Sequence, residues 1–246
     1  PIFYSPHQAS AIQLRLTLSH WVRKIYSGMR SNFDYTRDIV LGAERVLANT
    51  QEEIQLIGDA FGVPSHRFDY LKNGIHPIFR APFDSLDKDH HLPTQNYFLT
   101  TGQLSNPRKN TLQLLLAFRE IGSDHPLLLI GDFNSSTYSQ KCLAIIHGCD
   151  HIFHLSKMNS HSHLYLLSLR HAQCYIQASL FETPGLSALE ASAMGTPVIT
   201  TPYGGTRDYF EGRAIFLKGL DSSHIIRAIR EFDEGRLALH DPSELD

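Results

Sequence analysis

The stretch ASLFETPGLSALEASAMGTPVITTPYGG, residues 178–205, sets two glutamates, Glu182 and Glu190, around a glycine-led helix start. Leu186, Leu189 and Ala193 recur at spacings of three and four, the rhythm of a helix with one buried face. Glu182 therefore belongs to the loop before that helix, and Glu190 lies one to two turns inside it. A helix start offers unpaired backbone N–H groups and the positive end of a dipole, which together favour an anion. Carboxylates facing a phosphate directly would repel it. They suit hydroxyl groups on either side of it, an arrangement that a sugar nucleotide presents as sugar, diphosphate and ribose.

Working outward, short apolar runs at 97–101, 127–131, 151–155, 174–177, 197–200 and 214–217 alternate with helix-length segments. One such segment, 111–120, has Asn110 as an expected N-cap and Gln113 in the capping-box position. This alternation predicts an α/β chain with a parallel, doubly wound sheet, whose ligands bind at the carboxyl ends of the strands. Two loops leave such ends: 102–110, carrying Arg108 and Lys109, and 178–185, carrying Glu182.

The first 75 residues read differently. Residues 1–5 suit a strand, and Leu14, Leu18, Trp21, Ile25 and Met29 suit a long amphipathic helix. Residues 39–48, 52–61 and 67–71 then read as strand, helix and strand, closed by the turn pair Asn73 and Gly74. A polar, proline-bearing stretch follows. The expected organisation is a first domain remnant at 1–76, a linker at 77–94 and a second domain at 95–246.

Composition bounds the function. At 246 residues the chain can bury a sizeable core, and 42% hydrophobic against 19% charged residues is ordinary for a globular protein. A net charge of -3 gives no global case for nucleic acid. The longest apolar runs, such as 112–118, fall well short of the roughly 20 residues a membrane span needs. No secretory leader opens the chain, and the three cysteines lack CxxC spacing, so free thiols and a cytoplasmic setting are expected. The start at Pro1 rather than methionine reads as a fragment or a trimmed product.

Together these residues resemble the retaining glycosyltransferases of family 4, which have the GT-B fold of two facing Rossmann-like domains. Glu182, seven intervening residues and Glu190 reproduce that family's paired-glutamate motif, with Gly185 and Leu186 inside it. Ala191, Met194, Gly195, Thr196, Pro197 and Val198 resemble its helix-to-strand continuation, and Gly204 and Gly205 its glycine-rich turn. Residues 102–110 look like its diphosphate loop, and Asn73, Gly74 and Ile75 like the segment closing its N-terminal domain.

The resemblance implies a hexosyl-type transferase, or the donor-binding portion of one, using a nucleoside diphosphate sugar with retention of configuration. Lys109 would neutralise the donor diphosphate beside Gly102, and the amides of Gly185 and Leu186 would sit by the phosphates. Glu190 would accept hydrogen bonds from ribose hydroxyls, and Glu182 would contact the transferred sugar. His7 is the counterpart of the family's histidine near the sugar. No cofactor or bound metal is implied, and the acceptor, whether glycan, lipid or small molecule, is left open. Backbone groups near 154–156 are the expected base-recognition site.

The chain departs from the family pattern. Gln103 stands where the family has arginine, which removes a positive charge that Arg108 would restore only by turning inward. Thr183 and Pro184 replace the usual small and aromatic pair, and Pro184 has no N–H to donate. Most of the acceptor-side domain has no counterpart here. A noncatalytic nucleotide- or partner-binding module and a sugar-nucleotide epimerase are therefore the rival readings.

Blander readings apply to several residues. Two glutamates at this spacing arise often by chance, and the flanking Gly185, Gly195, Thr196 and Pro197 make the pairing specific. Lys109 alone reads as a solvated charge, and Gln103 as an ordinary loop residue. His147, Cys149, His151 and His154, or His161 with His163, invite a metal site, but a strand over 151–155 would put His151 and His154 on opposite faces, so no metal is expected. Arg15, Arg23, Lys24, Arg30, Arg37 and Arg45 against three acids suit either a solvated face or peripheral contact with an anionic membrane surface.

Overall fold

The computed structural model describes residues 30–80, 92–93 and 96–235, which fall into two compact units divided between Lys72 and Asn73. The strand expected at 1–5, the helix expected over 14–29 and His7 lie outside the described residues.

In the first unit, α1 (Asn32–Gly42) begins at a reciprocal capping box in which Ser31 and Asp34 satisfy each other's backbone N–H groups. It leads to β1 (Val46–Ala48), α2 (Gln51–Phe61) and β2 (Phe68–Tyr70), and β1 pairs in parallel with β2. The strand expected over 39–48 is thus corrected: its first part is helix and only its end is strand. Ile39 and Val40 are β-branched and favour a strand locally, but the capping box upstream starts a helix that runs through them. The Arg67 guanidinium donates to the Leu41 and Ala43 carbonyls, supplying partners at the end of α1. α2 matches its expected span and stops at Gly62, which is left-handed at φ 68°. Among the basic residues described here, Arg30 pairs with Asp38 and Arg45 with Asp69.

The second unit is built on six parallel strands: β3 (Tyr97–Thr101), β4 (Leu127–Ile130), β5 (Ile152–Leu155), β6 (Ala172–Gln177), β7 (Val198–Thr200) and β8 (Ala214–Phe216). Their order is β5-β4-β3-β6-β7-β8. The helices are α3 (Thr111–Ile121), α4 (Thr137–His147), α5 (His163–His171), α6 (Leu186–Ala193), α7 (Arg207–Phe210) and α8 (Ser222–Asp233). Both faces of the sheet are covered, which is why the strands read as unbroken apolar runs rather than as alternation. Phe98, Leu127, Leu129 and Ile199 pack under α3, α4 and α8 with Leu115, Phe118, Cys142 and Ile229. Leu99, Leu128, Ile130 and Val198 pack on the other face with Leu166 and Leu169 of α5 and Ala188 and Leu189 of α6. Ile75, Ile78 and Phe79 join that second layer, so the start of the stretch assigned to the linker is part of this core.

The capping box expected at 110–113 does not form. Asn110 takes a left-handed conformation without capping α3, and its amide donates to the Leu220 carbonyl at 2.7 Å. Gln113 Oε1 accepts from the Ser222 N–H at 3.0 Å. Both side chains tie the start of α3 to the start of α8 instead. All three cysteines are free, and burial pushes the Cys142 thiol up to about 11.

Candidate active site

The chain reverses direction across the sheet between β3 and β6, its neighbours in the strand order leading outward on both sides. The crevice at the carboxyl ends of the strands there is where a doubly wound sheet leaves room for a ligand. A cavity of about 340 Å³ opens at that place, lined by Thr101, Gly102, Gln103, Lys157, Tyr165 and Ser187 among others. A larger one, about 570 Å³, lies at the amino edge, lined by Arg119, Pro126, Cys149 and His151, and holds none of the candidate residues. Of the candidate residues, Gly102 and Gln103 line the crevice cavity and Lys109 lines a much smaller recess beside it, and the crevice is the candidate site because it lies at the carboxyl ends of the strands.

Gly102 N–H bonds the Ile130 carbonyl at 3.0 Å, and the loop beyond it carries Arg108 and Lys109 in a short 3-10 turn started by Asn106. This turn places both cations against Glu182. Lys109 Nζ donates to Glu182 Oε1 at 2.7 Å, and Ser179 Oγ donates to the same oxygen at 2.6 Å. Arg108 Nη1 lies 3.3 Å from Glu182 Oε2 and donates to the Phe181 carbonyl at 2.8 Å, so its side chain turns toward the second loop. Glu182 is only 5% exposed. Burial pushes its carboxyl upward, but the Lys109 charge and hydrogen bond, Ser179 and Arg108 outweigh that and hold it below the ordinary value. The Lys109 charge is thus balanced by Glu182 rather than left free.

Gly185 is the N-cap of α6 at φ 91°, and a Cβ there would meet the Gln177 amide, so only glycine fits. Leu186, expected on the buried face, is 50% exposed: it is the first helical residue and projects outward, while Ala188, Leu189, Ala191 and Ala193 do the packing. Glu190 sits one turn in. Its Oε2 accepts from the Tyr165 hydroxyl at 3.1 Å. Burial raises its carboxyl above the ordinary value, against the opposing effects of Tyr165 and of His161.

The structure therefore brings Gly102, Gln103, Arg108, Lys109, Glu182, Gly185 and Glu190 to one edge of the sheet. Sequence reading missed three contributors. Ser179 and Tyr165 hold the two glutamates, and Lys157 lines the cavity beside Gln103. Tyr165 lies in a leucine-rich helix and reads as core; Ser179 and Lys157 carry no signal until the loops meet. His151 and His154 direct Nε2 to the Phe118 and Gly131 carbonyls, at 3.0 and 2.7 Å. Among the described residues no group of His, Cys, Asp or Glu is arranged to hold a metal ion, and no helix is long and apolar enough to cross a membrane.

Residues 83–244 match the family model described as glycosyl transferases group 1. The chain is similar, at 29% identity over 199 residues, to the D-inositol 3-phosphate glycosyltransferase of Pseudarthrobacter chlorophenolicus, covering 76% of this chain and 46% of that protein. Among solved structures, sucrose-phosphate synthase from Thermosynechococcus elongatus superimposes with a TM-score of 0.71 at 20% identity, covering 92% of this chain and 58% of that one. The Anabaena protein HepE, solved with UDP and glucose, gives 0.70 at 16% identity, covering 83% and 58%. The α/β architecture with its parallel sheet is that of the GT-B glycosyltransferases, and the chain spans about half the length of these relatives.

Proposed function

The chain belongs to the glycosyl transferases group 1 family, and from that premise we propose that it forms the donor side of an enzyme transferring a hexose from a nucleoside diphosphate sugar with retention of configuration. The observation that carries this reading is the meeting of the Lys109 loop with Glu182 at the carboxyl edge, between residues 73 positions apart in the sequence, with Glu190 held nearby in the helix that Gly185 starts. HepE was solved with UDP, which supports a nucleotide ligand for the equivalent crevice.

In this reading the ribose lies against Glu190, the diphosphate against Gly102 and the first amides of α6, and the sugar toward Glu182. Charge develops on the departing diphosphate as the glycosidic bond breaks. Fixed N–H dipoles and the Lys109 ammonium then act on the product side without reorganising. Glu182, kept ionised by Lys109 and Arg108, accepts sugar hydroxyls and faces the positive charge that grows at the anomeric carbon. Charge neutralisation by these groups requires no metal.

Calorimetric titration of UDP and GDP into the full chain and into Glu190→Ala tests the site. The native chain is expected to bind one of the two. The variant should bind it about tenfold more weakly, the cost of losing a hydrogen bond to a charged acceptor. Equal, negligible heats from both proteins would remove the donor site.

A further inference from the structure

The geometry points to Tyr165 as a positioning residue for the nucleotide: by donating to one oxygen of Glu190 it presents the other to the ribose hydroxyls and so sets a preference for ribonucleotides. This rests on the donor-site reading above.

Four polar groups lie in a row beneath the crevice. Tyr175 OH is 3.1 Å from Thr101 Oγ1, Thr101 Oγ1 is 3.3 Å from Tyr165 OH, and Tyr165 OH is 3.1 Å from Glu190 Oε2. Counting protons fixes the direction of the contact to Glu190. An ionised carboxylate only accepts, so the single phenolic proton of Tyr165 goes to Glu190. The Tyr165 oxygen is then left to accept from the Thr101 hydroxyl, while the Tyr175 hydroxyl reaches both Thr101 Oγ1 at 3.1 Å and the Thr101 carbonyl at 3.4 Å. Tyr175 in turn accepts from the Thr101 N–H at 3.3 Å. The step whose direction is fixed is the last one, from Tyr165 to Glu190.

The chain is anchored at both strands of the switch point, since Thr101 ends β3 and Tyr175 lies within β6. Tyr165 itself is 5% exposed and is held on the first turn of α5, where its N–H bonds the Ser162 hydroxyl at 3.3 Å. These contacts use Oε2 of Glu190. Its Oε1 makes no hydrogen bond to another described residue and is left to accept from a ligand. A ribose offers two adjacent hydroxyl donors to such an oxygen; a deoxyribose offers fewer. Without the Tyr165 hydroxyl the carboxylate would rotate about its own bonds, and the ordering needed for that discrimination would be lost.

A tyrosine in this layer also packs, and Tyr165→Phe separates the two roles because it keeps the ring. The experiment measures dissociation constants of the full chain for UDP and 2′-deoxy-UDP, or the guanosine pair if GDP is the nucleotide bound. The native chain is expected to favour the ribonucleotide about tenfold, one hydrogen bond to a charged acceptor. Tyr165→Phe should reduce that ratio to roughly threefold or less while leaving the deoxynucleotide affinity within about twofold. Thr101→Val is expected to lower the ratio in the same direction, and Thr101→Ser to keep it, so the result does not hang on one variant folding. Retention of the native ratio in both Tyr165→Phe and Thr101→Val, or equal losses for the two nucleotides, overturns the inference. If the native chain binds UDP or GDP without preferring ribose, the inference fails and the donor site stands. If it binds neither, both fail.

Discussion

Lys109→Met should cost about 3 kcal/mol of stability at pH 7, the scale for stranding one charge of a buried pair. Glu182 is 5% exposed and receives its strongest support from Lys109, at 2.7 Å. Methionine fills the stem of the lysine but leaves the carboxylate with Ser179 at 2.6 Å and a looser Arg108 at 3.3 Å. A double variant, Lys109→Met with Glu182→Met, removes both charges and should recover most of the loss, because the desolvation cost of the pair disappears with it. Failure of the double variant to recover would mean that the lysine acts through packing alone.

The same substitution should change how stability depends on pH. In the native chain Glu182 titrates below its unfolded value of 4.5, so its contribution is present above that value and is lost as pH falls through the folded one. Removing Lys109 takes away the main cause of that lowering and leaves burial, which acts upward. The folded carboxyl then binds its proton more tightly than in the native chain. The stability gap between native and variant should therefore be small near pH 4 and widen toward pH 7. Urea unfolding at pH 4, 5.5 and 7 measures it, and a gap independent of pH would contradict the ion pair's role. Donor affinity should fall in the variant at pH 7 as well, since the phosphate loop loses its lysine.

Much of the second unit was legible because burial on both faces writes a plain pattern. Leu127, Leu128, Leu129 and Ile130 are all nearly inaccessible, and a run with no polar face reads as a central parallel strand. The expected strands and the observed ones differ by no more than two residues at an end. The first unit was less legible. There α1 owes its existence to a capping box at Ser31 and Asp34, outside the segment whose β-branched residues suggested a strand. Asn110 and Gln113 fit a local capping pattern, yet their partners are Leu220 and Ser222, about a hundred positions away.

The site shows the same limit. Its glycines and glutamates stand out by spacing, and the charge gap at Gln103 was visible in the sequence. Which cation meets which carboxylate is a tertiary matter, decided by two loops that approach only when β3 and β6 pair. Lys109, the expected phosphate contact, pairs with Glu182, a partner its spacing did not reveal. In the proposed donor site a diphosphate would therefore meet an ion pair rather than a bare ammonium. In the proposed donor site that arrangement would exchange some phosphate affinity for a carboxylate kept ionised and fixed beside the sugar.

Gly204→Ala is expected to be the most damaging single-methyl change in the glycine-rich turn, at about 4 kcal/mol, left-handed strain and overpacking together. Gly204 has φ 85°, and its Cβ would strike the Glu182 carbonyl oxygen and come within 2.8 Å of the Glu182 nitrogen. These are backbone atoms locked in place from both sides: Glu182 N–H bonds the Tyr203 carbonyl at 3.1 Å, and the Gly205 N–H bonds the Glu182 carbonyl at 2.8 Å. No side chain can rotate away to make room. Gly212→Ala is the matched control, because φ there is 74° but nothing lies within 4 Å of the added methyl. It should cost only the left-handed strain, about 1 kcal/mol. The difference between the two urea midpoints, at unchanged slope, isolates the close approach of the turn to the Glu182 backbone. Because that backbone carries the carboxylate onto Lys109, Gly204→Ala should also weaken nucleoside diphosphate binding at temperatures where it remains folded, while Gly212→Ala should not. Equal midpoints for the two variants would show that the turn can yield, and that Glu182 is held by its ion pair rather than by the chain beneath it.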